Sequence, residues 1–318
     1  MFRIAWGDDP GKFHKEESEL GYEADTFPRK YVRDRQGNFY FLEPGPPARL
    51  SKFSNDGRLL SLFDLSQAFP LLTSKDVITP QELFLQADGN PAALLRVYLA
   101  VEKREEMHLA YFSPTGTLKN VVQYSNFKLA SFQLDNASFL DKEGYLWVLG
   151  DGGACEIYGP TGQLAQPLPF SGSYVDGDGR LYSGFNPLRL YGRSGQKADE
   201  ILFEGHSASD EPEEIDGASG AGFLFSWRSA EKTRKADVFL IPRILDFYRL
   251  TTKHGKFEHV GEAILPPSKY RKPNPRSEYI ERTELYENRL VFDDVDNVYF
   301  LGRSPKECWI EKVHLEFK

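Results

Sequence analysis

Two short acidic runs hold the carboxylates whose spacing best suits a cation. Asp176 and Asp178 lie two residues apart on a glycine-rich turn, which is the arrangement of a calcium-binding loop. The run lacks the further acidic positions and the distal Glu that complete an EF-hand loop. Asp34 takes the same place in its own repeat without a second carboxylate, and Asp141 is another such turn aspartate, so we favour a turn and keep calcium as the alternative. The run from Asp293 to Asn297 is likewise interpreted as a solvated turn.

Motifs for other chemistry are missing from the sequence. It contains no Gly-x-Ser-x-Gly elbow, no glycine-rich phosphate loop, no paired-histidine metal motif and no Cys-x-x-Cys. The six histidines are scattered along the chain. We therefore predict no catalytic residue, although a site that draws one side chain from each of several repeats would leave no trace in sequence spacing.

A hairpin motif recurs along the chain and shows what must position any such residues. It consists of an aromatic residue, three polar or small residues and a glycine, between alternating apolar segments that are typical of two paired strands. The copies are Phe53–Gly57, Phe112–Gly116, Tyr158–Gly162 and Tyr191–Gly195, and Phe247–Gly255 is a longer one.

A second motif precedes most of these hairpins: an apolar strand, an aspartate, a tight turn and an aromatic strand. Asp can accept hydrogen bonds from the backbone two residues on, and Gly tolerates positive φ, so both suit the turn. The copies run over 31–41, 139–148, 174–182 and 290–300. Each repeat therefore reads as strand A, aspartate turn, strand B, connection, strand C, glycine turn and strand D.

The repeat predicts an all-β fold, a six-bladed β-propeller with four antiparallel strands per blade. Its period of roughly 40 to 50 residues is that of a propeller blade, and 318 residues accommodate about six blades in one domain. The segment 2–6 is an unpaired strand, and we expect it to supply strand D of the last blade and so close the ring. The predicted blades are approximately 30–66, 82–124, 137–168, 172–204, 213–264 and 286–318 with 1–7.

On these motifs the chain resembles the NHL-type six-bladed propellers, whose blades carry an aspartate-glycine turn followed by a second hairpin. The resemblance extends over nearly the whole chain and concerns architecture. It implies the blade order given above, and it transfers no ligand, catalytic residue or activity.

Composition limits the classes of partner and site. The net charge of −8 argues against general nucleic-acid binding, which needs a basic face. Cys155 and Cys308 fall in blades 3 and 6, too far apart for a mutual disulfide, and we expect both to be buried strand residues.

We find no signal peptide or transmembrane run. By analogy with bacterial propellers, we favour export to the periplasm or the extracellular space over the cytoplasm.

Irregular segments on one rim are the candidate binding loops. The connection 205–219 is acidic and the connection 265–278 is basic and rich in proline, so the two could pair with each other, form a partner surface or line a ligand pocket. The B-to-C segment 228–237 of blade 5 and the matching run Lys103–Glu106 of blade 2 add charge to this rim. Trp227 ends a strand below it, either as inter-blade packing or as a stacking platform.

Residues at the start of the A strands should line the axial mouth of the ring. Together with the rim, they make up the candidate binding residues, which are Arg29, Lys30, Tyr174, Glu213, Glu214, Trp227, Lys269 and Arg271. We predict a non-catalytic binding or scaffolding propeller that docks a protein or glycan partner, without a required cofactor. The alternative is a metal-dependent hydrolase, lactonase or lyase with an axial site, for which Asn136, His206, Glu213 and Asp216 are the available contributors.

Overall fold

A computed structural model describes most of the chain. The described residues are 2–5, 7, 9–13, 30–45, 47–125, 138–150, 154–170, 172–184, 187–203, 217–218, 224–229, 233–235, 238–251, 256–271, 281–293, 297–304 and 307–315. Arg29, Glu213 and Glu214 lie outside these residues, as do Asn136, His206 and Asp216.

The first three blades are separate four-stranded antiparallel sheets in sequential strand order. The first comprises β2 (Lys30–Arg33), β3 (Phe39–Glu43), β4 (Arg49–Phe53) and β5 (Leu59–Asp64), after the N-terminal strand β1 (Phe2–Ala5). The second comprises β6 (Val77–Leu85), β7 (Pro91–Leu99), β8 (Arg104–Phe112) and β9 (Leu118–Tyr124). The third comprises β10 (Ser138–Leu140), β11 (Leu146–Leu149), β12 (Cys155–Tyr158) and β13 (Leu164–Leu168).

The strands of blades 4 to 6 belong to one 13-stranded sheet, and within each blade neighbouring strands are paired. Blade 4 comprises β14 (Tyr174–Val175), β15 (Leu181–Ser183), β16 (Leu188–Tyr191) and β17 (Lys197–Phe203). Blade 5 comprises β18 (Gly217–Ala218), β19 (Leu224–Ser229), β21 (Val238–Thr251) and β22 (Lys256–Arg271), with an additional strand β20 (Thr233–Lys235) on β21. Blade 6 comprises β23 (Glu281–Phe292), β24 (Asn297–Arg303) and β25 (Glu307–His314).

β1 is the fourth strand of the last blade. It pairs antiparallel with β25, with Phe2 opposite Ile310 and Ile4 opposite Cys308, and both β1 side chains are buried. The fold is thus a six-bladed β-propeller, and the predicted closing strand is confirmed. The single-domain organisation stays a prediction.

The aromatic-to-glycine motif forms the turn between strands C and D. In each of its four short copies the glycine N–H donates to the carbonyl three residues earlier, at 2.9 Å, and the strand pairing shifts register at the aromatic residue. Gly162 shows why a side chain is excluded. Its φ is +82°, and a Cβ there would lie 2.1 Å from the carbonyl oxygen of Gln123 in the preceding blade.

The aspartate of the A-to-B turn ties the turn to the aromatic residue six positions later. Asp141 accepts hydrogen bonds from the N–H groups of Glu143 and Tyr145 through Oδ1, and from Trp147 Nε1 and Arg193 Nε through Oδ2. Asp293 similarly accepts a hydrogen bond from the Tyr299 hydroxyl at 3.0 Å. These aspartates therefore act in the framework of the blades.

The apolar core lies between consecutive blades. One cluster joins blades 1 and 2 around Leu50 and Leu95, a second joins blades 2 and 3 around Leu109 and Leu146, and a third joins blades 5 and 6 around Phe247. The chain divides into two compact units, Trp6–Leu181 with Gly192–Gln196, and Met1–Ala5 with Tyr182–Tyr191 and Lys197–Lys318. The three clusters each fall within a single unit.

The segment from Pro266 to Arg271 differs from the sequence-based prediction. It was predicted as a loop, but it forms the end of β22 and pairs with β21 and β23. Pro266 and Pro267 lie where the β21–β22 register skips, next to Pro242, so the ladder bypasses residues that have no N–H to donate. A proline-rich sequence can therefore belong to a long hairpin.

Cys155 and Cys308 form no disulfide, and both are fully buried in strands, as predicted. Burial raises the pKa of the Cys155 thiol to about 12, and the charge of Glu156 adds to the effect. Such a thiol is protonated near neutral pH, so Cys155 is a packing residue rather than a nucleophile.

Candidate functional site

The hairpin between β7 and β8 forms the best-described part of the predicted rim. Its loop is Ala100–Lys103, and the flanking residues Leu99 and Arg104 are paired. Lys103 has φ of +53°, in the left-handed region, at a position where a non-glycine residue costs roughly 1–2 kcal/mol. Arg104, Glu105 and Glu106 were predicted in this loop, but they open strand β8 because the turn needs only four residues.

Asp76 fastens this hairpin to the connection that enters blade 2. Its Oδ1 accepts the N–H of Ala100 at 2.7 Å, and its Oδ2 accepts the N–H and the hydroxyl of Thr73 at 2.6 and 2.9 Å. The Thr73 backbone N–H, followed by that of Ala100, holds the pKa of the Asp76 carboxyl below its usual value. The loop and the connection therefore form one ordered surface.

Four apolar side chains lie exposed around these hydrogen bonds, and we call them the rim patch. Val77 and Tyr98 are directly opposite each other on β6 and β7, while Leu71 and Val101 lie close along the chain to Thr73 and Ala100. Their exposed fractions are 94% for Leu71, 74% for Val101, 52% for Val77 and 37% for Tyr98. Grouped exposed apolar residues with polar neighbours are typical of interaction sites.

Charged side chains lie on both faces of β8. Glu105 is directly opposite Tyr98 and 3.9 Å from Arg96, on the face of Val77 and Tyr98, whereas Arg104, Glu106 and His108 lie on the other face. Arg104 pairs with Glu106 at 2.7 Å, and Glu106 contacts His108 Nε2 at 3.0 Å. His108 is buried and its ring lies edge-on to Phe69, with centroids 4.9 Å apart, and burial lowers the pKa of this imidazole. The pair of Arg96 and Glu105 therefore provides the polar border next to Val77 and Tyr98.

Two of the residues predicted to line the axial mouth, Lys30 and Tyr174, are among the described residues. Lys30 opens β2, and its Nζ contacts Glu82 on strand β6 of the next blade at 2.9 Å. Tyr174 opens β14, and its ring lies edge-on to Phe139 of β10, with centroids 5.5 Å apart. Burial raises the pKa of the Tyr174 phenol. Both contacts are between adjacent blades, so the binding role of these residues stays a prediction.

For the other predicted binding residues among the described ones, we give the strand in which each lies and its pairing partners. Trp227 lies in β19 opposite Leu245, Lys269 lies in β22 opposite Leu240 and Glu284, and Arg271 ends β22. The rim patch was not predicted from sequence. The sequence features that could have indicated the rim patch are Leu71 and Val101, since each is an apolar residue close to a polar turn.

The glycine turn with Asp176 and Asp178 is engaged by basic side chains. Asp176 accepts hydrogen bonds from the N–H groups of Asp178 and Arg180 and from Arg180 Nε, and Asp178 pairs with Lys142 at 2.9 Å. Over the described residues, no three His, Cys, Asp or Glu side chains group to hold a metal ion. The turn interpretation therefore has structural support.

Comparison with known proteins gives similarity of fold. No family model matches the chain, and no curated protein matches it. Among solved structures, a protein of unknown function from Bacteroides caccae covers 67% of this chain and 69% of its own at 14% identity, with a TM-score of 0.38. BBS1N, in complex with ARL6DN, covers 88% of this chain and 75% of its own at 13% identity, with a TM-score of 0.37.

The Dos1 propeller covers 96% of this chain and 83% of its own at 9% identity, with a TM-score of 0.46. Similarities at these levels carry nothing about partners or activity. The NHL-type relationship stays a prediction.

Calcium should not stabilise this protein if the basic side chains at the glycine turn occupy both carboxylates. We expect the melting temperature in calcium and in chelator to agree within about 1 °C, because a ligand that does not bind the native state does not shift its stability. Differential scanning fluorimetry and metal analysis of the purified protein test this. A bound stoichiometric cation whose removal lowers the melting temperature would contradict it and favour the hydrolase alternative.

Proposed function

We propose that this protein is a non-catalytic binding or scaffolding propeller that docks a protein partner through the rim of blade 2. The observation that carries the proposal is the rim patch, in which aliphatic side chains are held in solvent by the hydrogen bonds of Asp76. A surface that is ordered before binding loses little conformational entropy when a partner docks.

The chemistry of the rim patch favours a protein over a glycan. Leu71, Val77 and Val101 offer aliphatic surface, and the pair of Arg96 and Glu105 borders it on the face of Val77 and Tyr98. An apolar centre with a polar border is the usual anatomy of a protein–protein interface.

Export to the periplasm or the extracellular space is part of the same proposal and is tested by cell fractionation. In the described residues, no helix is long and apolar enough to cross a membrane.

Replacing Leu71 and Val101 together with Glu should abolish partner binding. Both side chains are exposed, so the substitutions should change the free energy of unfolding by less than about 0.5 kcal/mol, while a charge placed in an apolar interface is strongly unfavourable. The measurement is affinity purification from the native host followed by quantitative mass spectrometry, with thermal melting of each variant.

Ile264→Glu is the control, because Ile264 is also an exposed aliphatic residue but lies on β22, away from the rim patch in sequence. We expect the Ile264 variant to retain the partners of the wild type and the rim variant to lose at least one of them more than about tenfold. Equal partner profiles for all three proteins would refute a docking role for the rim patch.

A further inference from the structure

The outer strand of blade 1, β5, ends its sheet with apolar residues. Within the described residues it pairs with β4 on one side and is the last strand of the sheet. Such an outer edge presents main-chain N–H and C=O groups in a row, which can pair with a further strand.

The two faces of β5 differ. On one face, Phe63 packs edge-on against Phe112 of blade 2, with centroids 5.2 Å apart, and Ser61 lies against Gly116. On the other face, Leu60 and Leu62 are 43% and 41% exposed. The inner face thus secures the strand, while the outward face presents two leucines at the two-residue spacing of a strand.

The other outer strands carry the residues that usually prevent strand addition. Blade 2 exposes Lys119 on β9, blade 3 exposes Pro167 on β13 and blade 6 exposes Arg3 on β1. Charged residues and proline at an edge discourage pairing with another chain. Residues 59–63 of β5 are neither charged nor proline, and Asp64 ends the strand after them, so the middle of the outer edge of blade 1 lacks these residues.

Size and charge indicate what would cover this edge. A six-residue strand offers far less than the roughly 1,200 Å² of a stable interface between two globular copies. Strand addition needs less area, because main-chain hydrogen bonds provide affinity and alternate side chains provide specificity. The uncharged middle of this edge, residues 59–63 with two exposed leucines, is complementary to an uncharged strand with apolar side chains at alternate positions.

We propose that β5 is a second docking site, independent of the rim patch, that binds an extended, uncharged peptide segment of a partner as a fifth strand of blade 1. Leu60 and Leu62 contact alternate apolar side chains of that segment. The main chain of β5 binds its backbone.

The test uses the full chain and a selected peptide. A library of random linear dodecapeptides is panned on the purified protein, and the recovered peptides are synthesised with a fluorescent label for polarisation measurements. We expect peptides with alternating apolar residues and Kd below about 100 µM. Leu60→Lys with Leu62→Lys should raise Kd by at least about tenfold, whereas Leu71→Glu with Val101→Glu should leave it unchanged.

Single N-methylation along the peptide separates strand addition from side-chain binding. In an added strand, alternate N–H groups point to β5, so N-methylation should weaken binding at every second position. Circular dichroism and melting of the lysine variant confirm that its fold is kept.

Three results would overturn the proposal: a library that yields no such peptide, binding without the two-residue periodicity, or binding unaffected by the lysine substitutions. A concentration-dependent dimer that Leu62→Lys abolishes would identify a second copy as the occupant instead. If the Leu71 and Val101 substitutions leave the protein partners unchanged while peptides still bind β5, the proposed function is refuted and the β5 proposal is not.

Discussion

Deletion of residues 1–7 should lower the free energy of unfolding by about 5 kcal/mol or more. The deletion removes β1, whose Phe2 and Ile4 side chains are buried, and truncation of such residues costs roughly 2–5 kcal/mol each. It also exposes strand β25 as a new edge with Trp309 and Ile310. Urea unfolding followed by tryptophan fluorescence measures the loss, and size-exclusion chromatography detects aggregation through the new edge.

Substitutions within β1 separate burial from strand pairing. Phe2→Ala with Ile4→Ala keeps the strand and should account for most of the loss. Arg3→Ala removes an exposed ion pair with Glu307 and should cost less than about 1 kcal/mol. An unchanged unfolding midpoint after the deletion would show that β1 does not secure the last blade.

Replacing Glu43 with Ala should destabilise the protein by about 3–5 kcal/mol. Glu43 is 1% exposed at the end of β3, and it accepts hydrogen bonds from Arg49 Nε at 2.9 Å and from the Ser51 hydroxyl. Without Glu43, the buried guanidinium of Arg49 loses its counter-charge. The same guanidinium donates to the carbonyl of Lys12 at 2.5 Å, so the loss should reach the segment that places Phe13 between Phe41 and Phe53.

Two comparisons test whether the uncompensated charge is the cause. Glu43→Leu with Arg49→Met removes both charges and should recover most of the stability, because a packed apolar pair avoids the desolvation cost. Glu200→Ala breaks exposed pairs with Arg189 and Lys197 and should leave the unfolding midpoint nearly unchanged. If Glu43→Ala costs no more than Glu200→Ala, the buried pair does not stabilise blade 1.

Local sequence determined the turns of this protein. A residue with φ of +82°, as at Gly162, is strained unless it is glycine, and an aspartate before a tight turn accepts the N–H groups that follow it. Both constraints act within about five residues, so they are visible in the sequence. Their repetition predicted the four-stranded blades, and the unpaired apolar strand at residues 2–6 predicted the partner of β25.

Tertiary structure decided which side chains meet. Asp141 and Arg193 lie in different blades and come within 2.9 Å because the C-to-D turn of one blade lies against the A-to-B turn of the preceding one. Lys30 and Glu82, on the A strands of blades 1 and 2, also meet only because the two blades are adjacent. No spacing rule encodes such pairs, since the intervening loops vary in length.

Exposure is the property on which both proposed docking sites depend, and it too was set by packing. Leu60 and Leu83 are both leucines in strands, yet Leu83 is buried between blades and Leu60 faces solvent. Local periodicity specifies that a strand has two faces. Only the placement of the neighbouring blade specifies which face is covered, because burial is a relation between elements that are distant in sequence.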